Sequence, residues 1–344
     1  MHSHLINLFS SPTFLREIAN QCEELGYFLN LPTASITQCE LEEIEGEHSS
    51  WIGKLTITTT KDHQRLVLKL SPAGSGEHEV IFHQTIKAGS DVPTTPVLAF
   101  GILEDETSFL IMPDQTDTHR QLFNTVQTFT GSRISHSLQT TVIKALTAFH
   151  KAMEPLVEHA DYLGVGRYRD LPRPLLEYVT LCSELVAEFP ERILPPEDHQ
   201  QLKQLLPLAV HYWKTSLRKR LKSKQGLTIC HGDCFLHHFW MPHNTQQEPL
   251  LFDFDLATLH SPTWDLVTLL STGNFPDTER CLKTYHLHAG LGTPFDEFKE
   301  EFAWLSICQL YHVLADRERG CDELLWKDRL KNLLQFSELI SLPA

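Results

Sequence analysis

No stretch of this 344-residue sequence approaches the ~18 consecutive apolar residues of a membrane span. It has no internal repeat and no low-complexity linker, which excludes solenoid, collagenous and disordered chains. Basic residues are in short supply: 29 Lys and Arg against 44 Asp and Glu leave a formal charge of −15. A general nucleic-acid binder needs a basic face, so that class is excluded, whereas small cations would be drawn toward the chain. Met1-His2-Ser3-His4 lacks the basic start of a signal peptide, and Leu5–Phe9 is too short and too polar for its apolar core. The eight cysteines are spaced irregularly over a long chain, unlike a secreted disulfide framework. These features predict reduced thiols, a cytoplasmic location and no membrane partner.

At ~150 residues per domain, the length suggests two domains or lobes. Leu15, Ile18, Cys22 and Leu25 recur at helical spacing and predict a helix over 13–29. From about residue 36 the pattern turns to strands. Lys54–Thr60 and Arg65–Leu70, joined by Lys61-Asp62-His63-Gln64, predict a β-hairpin. In its second strand Leu66, Leu68 and Leu70 share one face and Val67 and Lys69 the other. A helix is predicted over Glu77–Ala88 with Ser75 as its cap, then strands over Pro96–Leu103 and Ser108–Met112. After Pro113-Asp114 the pattern is mainly helical. Leu138, Val142, Leu146 and Phe149 mark a helix ending near His150, and a second is expected over 197–222, kinked at Pro207. Its end, from Lys214 to Lys224, is basic, as suits a helix C-terminus. Short strands at Leu227–Cys230 and Leu250–Phe254 precede helices over 276–289, 296–318 and 322–340. The expected organisation is an N-terminal helical segment (1–35), a β-rich lobe (36–113) and a larger helical lobe (114–344).

Two stretches carry chemistry. One is Ile229-Cys230-His231-Gly232-Asp233-Cys234-Phe235-Leu236-His237-His238; the other is Phe252-Asp253-Phe254-Asp255, followed by Pro262-Thr263-Trp264-Asp265-Leu266. Asp233, Asp253 and Asp255 lie at the ends of short apolar strands. Carboxylates gathered this way are costly unless a cation or proton joins them, and an oxygen-rich set suits Mg²⁺. Lys69, paired with a carboxylate such as Glu79 ten residues on, could grip phosphates as a point charge.

With these residues in place, the sequence resembles the aminoglycoside phosphotransferase and choline kinase-like family, whose two-lobed fold is related to protein kinases. The family's catalytic loop reads His-Gly-Asp, four residues, Asn; His231-Gly232-Asp233 matches, with His238 at the Asn position. Its metal strand is matched by Phe252-Asp253-Phe254-Asp255, and its Pro-x-x-Asp-Leu by Pro262–Leu266. Leu146–His150 resembles a family helix end. The resemblance covers roughly 36–320 and implies an α+β, protein-kinase-like fold, with a small β-rich N-lobe carrying one helix and a larger helical C-lobe. It implies an ATP- and Mg²⁺-dependent transfer of the γ-phosphate to a hydroxyl of a small molecule, of aminoglycoside, choline or amino-alcohol type. In that reading Asp233 orients or deprotonates the hydroxyl. Asp253 binds the metal, and Asp255 supports a second metal or a cationic substrate. Lys69 holds phosphates and Glu79 positions Lys69. His231 and Asp265 brace the loop. The adenine would lie against backbone near Met112 and Asp114, and the turn holding Ser49 would cover the phosphates.

His238 departs from the family pattern and leaves three readings. It ligates a second metal through nitrogen, with Mn²⁺ then favoured; or Asp253 alone suffices; or transfer is lost, leaving a nucleotide-binding pseudokinase. The Cys230, His231, Cys234, His237 and His238 cluster also admits a zinc protein or metal-dependent hydrolase. The segment Tyr162–Tyr178, with Arg167, Arg169 and Arg173, is a candidate acceptor wall. No motif specifies the acceptor or the oligomeric state.

Overall fold

The computed structural model describes residues 2–31, 34–44, 50–73, 76–87, 92–130, 132–159, 204–205, 207, 211–244, 247–318 and 323–339. The chain is α+β and divides into two compact units: residues 1–89, 94–120 and 242–245, and residues 90–93, 121–241 and 246–344. The Ser75 cap, the Ser49 turn, the Tyr162–Tyr178 segment and most of the helix expected over 197–222 lie outside the described residues.

The first unit begins with three helices, α1 (His2–Phe9), α2 (Pro12–Gln21) and α3 (Glu23–Phe28). The Ser11 side chain accepts the Phe14 amide at 3.4 Å, and Pro12 fits the first turn of α2, where no N–H is needed. The single helix predicted over 13–29 is broken at Cys22, whose backbone is extended. Gly26 explains the fold-back: a Cβ there would stand 2.9 Å from the Ala19 carbonyl oxygen, so only glycine lets α3 approach α2 this closely.

A five-stranded antiparallel sheet follows. It is built from β1 (Ile36–Ile44), β2 (Trp51–Thr59), β3 (His63–Ser71), β4 (Ala99–Ile102) and β5 (Ser108–Pro113), in the order β1-β2-β3-β5-β4. The β2–β3 turn is held by the Thr59 hydroxyl, which accepts the Lys61 and Asp62 amides. Helix α4 (Glu77–Lys87) lies between β3 and β4 in sequence. Leu55, Ile57, Leu66 and Leu68 are wholly buried and share one core with Phe9, Leu15 and Leu25 of the N-terminal helices. Each contributes roughly 1.5–3 kcal/mol before the entropy of ordering is subtracted. The chain leaves this sheet through β6 (His119–Gln121).

The second unit is helical around two small strand pairs. After α5 (Thr125–Phe129), α6 (His136–Met153) starts at Ser135, which caps the Leu138 amide, and it buries Val142, Leu146, Phe149 and His150 on one face. A π-helical turn (Trp213–Leu217) leads into α7 (Arg218–Ser223). Strand β7 (Thr228–Cys230) pairs antiparallel with β10 (Thr258–His260), and β8 (Phe239–Pro242) with β9 (Leu250–Leu251). Four helices complete the unit: α8 (Thr263–Ser271), α9 (Thr278–Ala289), α10 (Phe295–Glu318) and α11 (Glu323–Ser337). Every residue of α8 is buried, and it is the post that the loop after β7 leans on. Among the described residues no helix is long and apolar enough to cross a membrane.

Candidate active site

In the second unit, β7 ends at Cys230 and the chain enters a loop that α8 holds from below. Asp265, on the first turn of α8, is wholly buried. Its Oδ2 accepts the His231 amide at 2.7 Å, and its Oδ1 accepts the Gly232 amide at 2.9 Å. A third donor comes from α6, where His150 Nε2 lies 2.9 Å from Oδ2. The other nitrogen of His150 pairs with the Tyr285 hydroxyl at 2.7 Å. Burial alone would raise the Asp265 pKa, but the His150 hydrogen bond and charge and the Gly232 amide outweigh it and hold the carboxyl below its ordinary value. It is an ionised acceptor that fixes two successive amides.

That grip forces Gly232 into a left-handed backbone, φ +84°. A Cβ there would stand 1.8 Å from the Leu256 carbonyl oxygen, so no other residue fits. Asp233 follows with its side chain 36% exposed, the accessible carboxylate of the loop. Its carbonyl accepts the Phe235 amide at 2.9 Å and the His238 Nδ1–H at 2.7 Å. A short 3₁₀ turn, Leu236–His238, brings His238 back beneath Asp233.

The second stretch folds differently from the strand expected over Leu250–Phe254. The Phe252 amide still donates in register to the His238 carbonyl at 3.2 Å, but the ladder goes no further: the His238 amide turns to the Phe235 carbonyl at 3.0 Å and the Phe252 carbonyl accepts from His231 Nε2 at 2.9 Å instead. Asp253 then turns into the left-handed region, φ +69°, an uncommon backbone for a residue with a side chain and of the kind that gathers at functional sites. Its carboxylate, 37% exposed, lies with Oδ2 3.4 Å from His238 Nε2. Asp253 and Asp255 each offer an oxygen within 4.8 Å of the other, a spacing that one cation can bridge. Burial, then the neighbouring His238, push the His231 pKa down. His231 is therefore a neutral imidazole that braces Phe252. Its ring stacks on that of His238, with centroids 5.3 Å apart.

The crowded Cys230–His238 cluster does not converge on one point. Cys230 donates to the Ser261 carbonyl at 3.2 Å, and His237 turns to Thr128 and stacks against Phe235. Burial pushes the Cys230 and Cys234 thiols well above their ordinary pKa. Among the described residues, no three of the five bring ligand atoms within 4.8 Å of one another.

In the first unit, β3 and α4 join Lys69 to Glu79. Nζ lies 2.7 Å from Oε2, and both side chains are buried, 8% and 3% exposed. His83, one turn further along α4, has Nε2 4.0 Å from the other Glu79 oxygen. Burial, then the Lys69 charge, push its pKa down to about 3, so it is neutral. Sequence reading missed His83, although its i+4 spacing from Glu79 was the available signal. It also missed Tyr285, for which the sequence holds no signal. Met112 lies on β5 opposite Val67. On the backbone expected to lie against adenine, the Asp114 amide donates to the Arg65 carbonyl at 3.1 Å, and the Asp114 side chain accepts the Thr116 amide.

Residues 49–302 match a family model described as "Phosphotransferase enzyme family". No curated protein matches the chain by sequence. Among solved structures, a candidate aminoglycoside phosphotransferase of Ralstonia eutropha aligns over 93% of this chain and 96% of its own, with a TM-score of 0.57 and 18% identity. The ethanolamine kinase of Plasmodium vivax aligns over 87% and 81%, with a TM-score of 0.54 and 12% identity. A thermostable mutant of aminoglycoside phosphotransferase APH(4)-Ia, in a ternary complex with AMP-PNP and hygromycin B, aligns over 90% and 97%, with a TM-score of 0.50 and 11% identity.

Proposed function

Because the chain belongs to the phosphotransferase enzyme family, we propose that it transfers the γ-phosphate of ATP to a hydroxyl of a small molecule. The observation that carries this reading is the fixed loop. A buried, ionised Asp265 clamps two consecutive amides, so that Asp233 is the exposed carboxylate of a rigid turn. Asp233 accepts the acceptor hydroxyl's proton as the new oxygen–phosphorus bond forms and the bond to the ADP oxygen breaks. The Lys69 ammonium, oriented by Glu79, meets the phosphate charge.

The donor chemistry of Asp253 and Asp255 fits a hard divalent cation, and these two residues would hold it. Such an ion, when bound, neutralises charge on the phosphate oxygens. In this reading the first unit binds nucleotide through Lys69, Glu79, the Met112–Asp114 backbone and the Ser49 turn; the second carries the catalytic loop and the acceptor site. The acceptor is an aminoglycoside-, choline- or amino-alcohol-like hydroxyl compound, in keeping with the −15 charge. The test is calorimetric ATP binding with and without Mg²⁺, followed by ADP release across a panel of such alcohols. Mg²⁺-dependent binding and acceptor-dependent ADP release are expected. Nucleotide binding indifferent to metal, with no transfer, would instead support the pseudokinase reading.

A further inference from the structure

We infer that His238 is a nitrogen ligand to the cation held by Asp253, so that the site prefers a borderline ion of the Mn²⁺ type over Mg²⁺. This inference rests on the phosphotransferase reading for the cation's presence and on the geometry of His238 for its identity.

The Asp233 carbonyl can only accept, so the 2.7 Å contact places the His238 proton on Nδ1. In the neutral ring the lone pair is then on Nε2. A histidine whose second nitrogen donates to a backbone carbonyl has the arrangement that fixes metal-ligating imidazoles in orientation and tautomer. Nε2 faces Asp253 Oδ2 at 3.4 Å. Two ligands each ~2.1 Å from one cation lie about 3.0–3.4 Å apart, so a single ion spans this gap.

The ring cannot easily turn away. It stacks on His231 at 5.3 Å and 13°, and it meets Phe252 edge-on at 5.7 Å. The backbone that carries the carboxylate is held as well, since Asp253 takes its left-handed conformation between Phe252, anchored at both its amide and its carbonyl, and buried Phe254. The donor pair is therefore one imidazole nitrogen facing the carboxylate of Asp253; among the described residues Asp255 lies near Asp253 but does not close a three-ligand group with His238. Magnesium favours oxygen alone; nitrogen moves the preference toward transition ions.

The test uses the full-length protein and Mn²⁺, first alone and then with ADP. Electron spin-echo spectra of bound Mn²⁺ should carry ¹⁴N modulation that becomes ¹⁵N modulation when the histidines are ¹⁵N-labelled. His238→Asn should abolish it, and His237→Asn should leave it intact. By calorimetry, Mn²⁺ should bind about tenfold or more tightly than Mg²⁺ in the wild type, and the ratio should fall in His238→Asn. The labelled wild type answers the question even where the variant does not fold.

Bound Mn²⁺ without nitrogen modulation, modulation that survives His238→Asn, or no Mn²⁺ binding with or without ADP overturns the inference. An imidazolium ion-paired to Asp253 would give the first of these. The two readings fail separately. Acceptor-dependent turnover with all-oxygen coordination removes the nitrogen ligand and leaves the phosphotransferase. Nitrogen-coupled Mn²⁺ in a protein that binds no ADP removes the phosphotransferase and leaves the ligand.

Discussion

Gly232 gives its amide to Asp265 at 2.9 Å from a backbone with φ +84°. The clamp and the strain are one feature, since the carboxylate reaches both amides only if the chain turns left-handed there. Gly232→Ala should therefore fail twice, through a Cβ 1.8 Å from the Leu256 oxygen and through the unfavourable φ. The expected result is a loss of several kcal/mol in urea denaturation and no detectable transfer. A variant with wild-type stability and turnover would show that the loop does not need this conformation.

The site was legible where chemistry sits in short runs, and illegible where it depends on distant backbone. Lys69 and Glu79 were paired by spacing and do meet at 2.7 Å. The brace role of Asp265 came from the family resemblance of Pro262–Leu266 and not from spacing, and Asp265 does accept the His231 and Gly232 amides. The end of the ladder at Leu251 could not be read. Leu250–Phe254 looks like one apolar strand, and it ends because the His238 amide is taken by Phe235 and the Phe252 carbonyl by His231. The break at Cys22 was hidden for a similar reason: apolar spacing runs straight through it, while the fold-back is set by Gly26 against Ala19. The Cys230–His238 run suggested metal by proximity in sequence, yet the strand and 3₁₀ turn send alternate side chains to different neighbours. Within the first unit, the amide of Asp114 was free in the sequence and is used in the fold.

Stability should fall in mild acid because of buried histidines. Burial, then the charge of Arg220, push His260 down to about 3 from an ordinary value of 6.5, and its Nδ1 accepts the Ser261 amide at 2.9 Å. A group whose folded pKa is depressed contributes stability above its unfolded pKa, and that contribution is lost as pH falls from about 6.5 toward 3. His83 acts in the same direction. Each should add about 1.4 kcal/mol per pH unit to the slope well below pH 6.5. Denaturation midpoints from pH 7 to pH 5 should show that slope. His260→Asn, which keeps an acceptor for Ser261, should remove one proton's share of it; an unchanged slope in the variant would mean His260 is already charged in the fold.

The Lys69–Glu79 pair should behave as a unit. Both side chains are buried, so removing one partner leaves the other's charge uncompensated, at a cost of about 3–5 kcal/mol. Lys69→Met and Glu79→Gln should each destabilise the protein strongly. The double variant should be clearly less damaged than the sum of the two, because no lone buried charge remains. A double-mutant cycle by chemical denaturation measures this coupling, and strict additivity would mean the two side chains do not share a charge interaction. ATP affinity should fall in all three variants, the double included, since neutral replacement recovers stability but not the ammonium proposed to meet the phosphates.

Asp233 should show the opposite balance between stability and rate. Its side chain is 36% exposed, and the contacts that hold the loop are made by its carbonyl, which survives substitution. Asp233→Asn keeps the shape and removes the charge proposed to accept the hydroxyl proton. The melting temperature should stay within a degree or two of wild type, because surface substitutions away from special features cost little. ATP affinity should also be near wild type. Turnover should drop about 10²–10⁴-fold, mostly in kcat, as expected for the loss of general-base assistance in an otherwise assembled site. The comparison with Gly232→Ala is what makes the result diagnostic. One variant breaks the loop and loses stability and rate together, while the other leaves the loop standing and loses rate alone. If Asp233→Asn transferred phosphate at the wild-type rate, the hydroxyl would have to be activated elsewhere, and the exposed carboxylate of this loop would have no part in the reaction.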